Sequence, residues 1–145
     1  MKAPAALMKK VFEEYIPFNK YMGMQLLEVN TGYAKAIVPF QDTLVGDPRI
    51  KAVHGGVISA AMDAVGGLAG MTTLTSMEDK IVTVDMRIDF LRSARETDLI
   101  IEAFVVRSGN RIISTSMKAM RKDDQTLIAE GRAVYNVSRK GNIAE

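Results

Sequence analysis

The segment 57–75 carries a single charge, Asp63, in a run of Val, Ile, Ser, Ala, Met, Gly, Leu and Thr. Immediately before it stands His54-Gly55-Gly56. A helix that is small and apolar nearly all round has to be enclosed by other structure. Its length raises the question of a membrane span, since about 20 apolar residues suffice for one. The many Gly, Ala, Ser and Thr residues, with Asp63 among them, fit a helix buried inside protein better. Gly66, Gly67 and Gly70 each cost up to ~1 kcal/mol against Ala in a helix interior. Close approach to neighbouring backbone is the expected compensation. The chain is therefore expected to fold around one central helix from about residue 55 to residue 74.

The flanking segments read as one helix and a set of strands. Apolar residues at Leu7, Met8, Val11, Phe12, Tyr15 and Ile16 predict an amphipathic helix over 5–16, ended by Pro17. Residues 24–29 and 33–38 are short apolar runs joined at Asn30-Thr31-Gly32, a hairpin pattern. Residues 41–53 form a connector without strong periodicity. In 81–90, Val82, Val84, Met86, Ile88 and Phe90 alternate with Thr83, Asp85, Arg87 and Asp89, the period of a strand. Residues 99–107 are more continuously apolar, which predicts a strand covered on both faces. Short turns at 108–110 and 122–125 lead into strands over 111–121 and 127–137, and turns this short require antiparallel neighbours. The expected class is α+β, one antiparallel sheet wrapped around a long central helix in a single domain over 1–145, with an N-terminal helix within 1–18 and a frayed tail over 139–145.

Composition narrows the chemistry. The 145 residues include no cysteine and one histidine, so no thiolate nucleophile, disulfide or Cys-based metal site is available, and a transition-metal site is disfavoured. The formal net charge of +2, without a basic cluster or aromatic–basic interleaving, argues against a nucleic-acid partner. Lys9, Lys10, Glu13 and Glu14 interrupt any N-terminal apolar run that could act as a signal peptide. The expectation is a cytoplasmic protein that needs no metal or cofactor and has no membrane or nucleic-acid partner.

The reactive groups gather at the helix. Its N-terminus leaves N–H groups unpaired and carries partial positive charge, and glycine lets a ligand approach that backbone. His54-Gly55-Gly56 can therefore polarise a carbonyl, although two glycines before a helix are more commonly just a turn. A carboxylate such as Asp63 in an apolar segment must be hydrogen-bonded, altered in its protonation or facing a cavity. It could cap a neighbouring N–H or do chemistry. Nine positions separate it from His54, ~13 Å along one helix. One helix start and its own carboxylate cannot readily act on one carbonyl. Two copies packed so that Asp63 of one faces Gly55 of the other would solve this, which predicts a symmetric dimer.

The stretch from His54 to Asp63, His-Gly-Gly-Val-Ile-Ser-Ala-Ala-Met-Asp, resembles the signature of hotdog-fold acyl-CoA thioesterases. The similarity is to the phenylacetyl-CoA thioesterase-like (PaaI-like) branch of the 4-hydroxybenzoyl-CoA thioesterase superfamily. Residues 82–92 resemble the family's first strand after the helix, and Ile128-Ala129-Glu130-Gly131-Arg132-Ala133 its last strand. The resemblance spans roughly residues 15–137 and implies a sheet wrapped about one long helix, dimers and often dimers of dimers. It implies that the Gly55 N–H polarises the thioester carbonyl, that Asp63 is the catalytic general base or nucleophile, and that His54 orients the loop. Gly56 and Thr83 are implied to border substrate and the attacking water, against the commoner fate of a threonine there as an ordinary strand residue. Arg92 is implied to meet a CoA phosphate, against the commoner fate of a solvated charge. Where relatives often carry Gly-Asn-Pro, this chain has Gly46-Asp47-Pro48, so a negative charge replaces an amide donor beside the substrate; Ser93 stands where many have Pro.

The implied function is hydrolysis of an acyl-CoA to a free acid and CoA. Asp47 keeps open a second expectation, a hotdog protein that binds acyl-CoA without cleaving it. A hotdog hydratase would want Asp and His closer together and in the opposite order. The ten methionines, among them Met62, Met71, Met86 and Met117, could line an adaptable acyl pocket or simply fill the core.

Overall fold

The structure is a computed structural model describing residues 3–140. Its centre is helix α3 (Gly55–Met71), which lies across a six-stranded antiparallel sheet. The strands are β1 (Gln25–Asn30), β2 (Tyr33–Val38), β5 (Lys80–Phe90), β6 (Leu99–Ser108), β7 (Ile112–Arg121) and β8 (Leu127–Ser138), in the order β1-β2-β6-β7-β8-β5. The expected α+β sheet around one helix is present; it is the hotdog fold.

The core forms where the two periodicities meet. Ile58, Ala61, Met62, Val65, Leu68 and Ala69 of α3 face Leu99, Ile101, Ala103, Ile113, Met117 and Tyr135 of the sheet, all buried. Each large apolar side chain so covered contributes about 1.5–3 kcal/mol. The helix glycines do not all serve the same end. A Cβ on Gly66 would lie 2.5 Å from the Tyr135 Oη and 2.8 Å from the Met117 Sδ, and one on Gly70 2.9 Å from Ile81 Cδ1. The close approach is thus to side chains, not to the neighbouring backbone expected from the sequence. Gly67 has no such need: its Cβ would meet only Tyr135 Cε1, at an ordinary 3.6 Å.

Several local readings change. The N-terminal helix is split into α1 (Ala5–Lys10), a π-helical turn (Val11–Tyr15) and α2 (Pro17–Tyr21). Pro17 ends one helix and opens the next, because its missing N–H and fixed φ suit a first helical position. The connector folds into a 3₁₀ turn (Asp42–Leu44) and a small hairpin of β3 (Val45–Asp47) and β4 (Ala52–Val53). Strand β6 is covered on one face only, since Phe104 and Val106 are exposed on the side away from α3. The helix ends at Met71, three residues early, where Thr72 Oγ1 turns back to donate to the Ala69 carbonyl. Of the tail expected to fray, Arg139 and Lys140 are instead tied to Asp79; residues 141–145 lie outside the described residues. No helix among the described residues is long and apolar enough to cross a membrane.

Candidate active site

At its N-terminus, α3 is capped by its own histidine. His54 Nδ1 accepts the Gly56 N–H at 2.8 Å, which puts the ring proton of the neutral imidazole on Nε2. The His54 N–H donates to the Leu44 carbonyl at 2.8 Å, and Val57 and Ile58 turn back to the His54 carbonyl. Among the described residues no hydrogen bond takes up the Gly55 N–H. Gly55 therefore presents the free donor at the positive end of the helix, whereas the Gly56 N–H is committed to the cap. Gly46 is packed on this corner, where a Cβ would lie 2.8 Å from His54 Cα.

Further along α3, Asp63 projects from the half-covered side of the helix. Thr83 Oγ1 donates to its Oδ1 at 2.8 Å. Tyr135 Oη donates to the Asp63 carbonyl oxygen at 3.0 Å and lies 3.4 Å from Oδ1. Burial, and then the charge of Asp63, raise the Tyr135 phenol well above its ordinary value, so it stays a proton donor. Oδ2 of Asp63 accepts no hydrogen bond among the described residues, and the residue borders a cavity. Local structure explains the convergence. Thr83 is opposite Tyr135 in the β5–β8 register, and a bulge between Thr83 and Asp85 follows at once. Such a bulge re-aims the side chains beside it.

Tyr135 was not singled out from the sequence. Its one signal is an aromatic residue in phase with the buried side of β8. Its partner Asp63 lies 72 positions away, beyond any local pattern.

Asp63, Thr83 and Tyr135 border a cavity of 310 Å³ that is otherwise apolar. Gly55 and Arg92 border a second cleft of 360 Å³ with Phe90. The two share no lining residue. Along α3, Gly55 and Asp63 are ~12 Å apart at 1.5 Å per residue. The free donor and the free carboxylate oxygen are thus held in separate clefts of one chain. Arg92 Nη1 donates to the Leu127 carbonyl at 3.2 Å while the side chain stays exposed. Asp47 lines neither cleft; Arg49 clamps it through Nε at 3.0 Å and Nη2 at 2.8 Å. Hydrogen bonding from Arg49 holds the Asp47 carboxyl below the usual range, so its charge is paired locally.

Comparison with known proteins fits this geometry. The chain is 29% identical over 143 residues to the medium/long-chain acyl-CoA thioesterase YigI of Salmonella typhimurium, spanning 90% of this chain and 92% of that one. A crystal structure of a Shewanella oneidensis protein related to the thioesterase superfamily superposes with a TM-score of 0.82 at 27% identity, over 92% of this chain and 94% of that one. The fold also matches a Haemophilus influenzae thioesterase at a TM-score of 0.85 and 17% identity, covering 100% and 97% of the two chains. The family model described as the thioesterase superfamily matches residues 51–128, a span that takes in His54, Gly55, Asp63, Thr83 and Arg92. The chain belongs to the thioesterase superfamily.

Proposed function

We propose that this protein hydrolyses acyl-CoA thioesters at a centre shared by two copies of the chain, and that it belongs to the PaaI-like branch, on the His54-to-Asp63 motif. The observation that carries the reading is Asp63 itself. One carboxylate oxygen is fixed by Thr83, while the other has no hydrogen-bond partner among the described residues, and Asp63 borders a largely apolar cavity. The Gly55 N–H of one copy polarises the thioester carbonyl. The partner's carboxylate takes a proton from water as the water oxygen bonds to the carbonyl carbon. Collapse of the adduct breaks the C–S bond, and the proton passes to the departing CoA sulfur.

The edge strand supports a shared centre. β5 is 11 residues long, lies at the sheet edge, and exposes Val82, Val84 and Phe90. An uncovered edge of this kind is a template for pairing with another chain. Thr83 near one end of β5 touches Asp63, and Phe90 at the other end lies against Gly55. Antiparallel pairing of two β5 strands about a two-fold axis near their middle brings the Asp63 end of each to the Gly55 end of its partner. A non-hydrolytic acyl-CoA binder rested on the extra charge of Asp47, and the Arg49 clamp removes that argument.

The test uses purified protein, a panel of short, medium, long and aromatic acyl-CoAs, and measured thiol release. Asp63→Ala should lose about 10²–10⁴-fold in kcat. Gly55→Pro deletes the donor at a helix position proline accepts, after a His54 whose φ of −59° and ψ of 133° suit a residue preceding proline. It too should be inactive. Mixing the two dead variants under subunit exchange should restore activity, because each mixed dimer holds one intact centre. Absence of thiol release by the wild type on every ester overturns the reading; absence of complementation overturns the shared centre.

A further inference from the structure

We infer that the cavity beside Asp63 is a channel for a saturated acyl chain of about ten carbons, and that the bare backbone of Gly67 sets how long a chain it takes. The inference rests on the thioesterase reading and extends it to substrate class. Asp63, Gly67 and Met71 are four residues apart, so they form one stripe along α3 on the cavity side. Leu7, Val11 and Phe12 of the N-terminal helical segment and Ile81 of β5 line the same cavity. Apart from the Asp63, Thr83 and Tyr135 groups at one end, the lining is apolar. A site with polar groups at the reacting end and hydrocarbon beyond suits a straight acyl tail better than a hydroxylated or charged one.

The helix gives the length. From Asp63 to Met71 α3 rises ~12 Å, and an extended chain with ~1.5 Å bonds covers that in about nine or ten of them.

The glycine completes the case. Gly66 is held to glycine by packing, since a Cβ there would meet Tyr135 Oη at 2.5 Å and Met117 Sδ at 2.8 Å, and one on Gly70 would displace the Ile81 Cδ1 methyl, 2.9 Å away. No such contact imposes Gly67, yet it carries the same helix cost of about 1 kcal/mol against Ala. What its missing side chain leaves is space in the channel, midway between Asp63 and Met71. The N-terminal wall is held firmly: Asn19 Nδ2 donates to the Phe12 carbonyl at 3.0 Å, and Glu13 accepts the Leu26 N–H of β1 at 2.8 Å.

The experiment is a chain-length profile of kcat/KM on saturated acyl-CoAs from butyryl to palmitoyl. The wild type should peak near decanoyl. Gly67→Leu should lose at least tenfold on decanoyl-CoA while keeping butyryl-CoA turnover within threefold, and Gly67→Ala should fall between. A wild-type profile in Gly67→Leu, or equal loss at every length with an unchanged melting temperature, overturns the assignment. Should the wild type hydrolyse no ester, the thioesterase reading fails separately and calorimetry decides the channel. Decanoyl-CoA binding at least tenfold tighter than acetyl-CoA, with the preference lost in Gly67→Leu, would support it; equal affinities would overturn it.

Discussion

The Tyr135 phenol donates to the backbone carbonyl of Asp63 across 3.0 Å, linking the eighth strand to the middle of the central helix. That carbonyl sits inside α3, where it already accepts a helical bond, so the phenol fills its second lone pair. The same phenol is 3.4 Å from Oδ1, the oxygen that Thr83 holds. Backbone and side chain of one residue are thus fixed from two neighbouring strands, β5 and β8.

Tyr135→Phe tests whether this contact positions the carboxylate. A neutral hydrogen bond is worth about 0.5–1.5 kcal/mol, and the helix retains its own bond to the carbonyl, so stability should fall toward the lower end of that range. Activity should fall more. The expected result is a roughly tenfold drop in kcat with KM held within twofold, measured by thiol release on the best ester. Equal losses in kcat and stability across Tyr135→Phe and a Tyr135→Leu control would assign the residue to packing alone.

Gly131 was legible as part of a short motif, but its reason lies in the fold. A Cβ there would run into the Arg87 carbonyl oxygen and stand 3.1 Å from Ile88 Cα, both backbone atoms of β5 that cannot swing aside. Gly131→Ala should therefore push the Phe90 half of β5 away from β8. Overpacking of this kind typically costs about 1–3 kcal/mol, to be read from urea unfolding. Weaker self-association in sedimentation should accompany it, since β5 is the proposed joint. Unchanged stability would show that β5 shifts freely at this point.

The parts of the molecule legible in the sequence are those governed by near neighbours. The apolar run with its glycine-opened start marks α3, whereas the cap that His54 places on it is seen only in the structure. The period of two in 81–90 marks β5, and the short turns pair β6, β7 and β8 in succession. Asp63, Thr83 and Gly55 could be named because a motif carries them, although only the coordinates place Asp63 and Thr83 in one cavity and Gly55 in another. What stayed hidden depends on contacts between distant segments. The pairing of β5 with β8, not β6, brings Tyr135 opposite Thr83, and no local pattern encodes it. Covering only one face of β6 contradicts its continuous apolar run, because no described residues form a layer over the far side of the sheet, where Phe104 and Val106 are exposed. The π-helical turn is bonded to its surroundings through Asn19 and Glu13, contacts that a 3.6-residue pattern does not encode.

Asp79 gives a pH-dependent test of how the end of β8 is fastened. Its carboxylate accepts the Lys140 N–H at 3.0 Å and the Ser76 N–H at 3.2 Å, and Arg139 lies 3.5 Å away. The Lys140 N–H above all, then the Ser76 N–H and the Arg139 charge, hold the carboxyl below its usual range against the opposing cost of desolvation. A depressed carboxyl stabilises the fold at pH values above the unfolded-state pKa of about 3.9, and this contribution is lost as pH falls through the lower folded value. Asp79→Asn keeps the shape but removes the charge. Wild type should therefore melt above Asp79→Asn by a constant margin between pH 5 and pH 8, a margin that narrows below about pH 4 and closes once the wild-type carboxyl is protonated. Scanning calorimetry of both proteins across this range reads it directly. A margin that persists undiminished to pH 2 would mean that the shape of the side chain, not its charge, fastens β8 to the turn after α3.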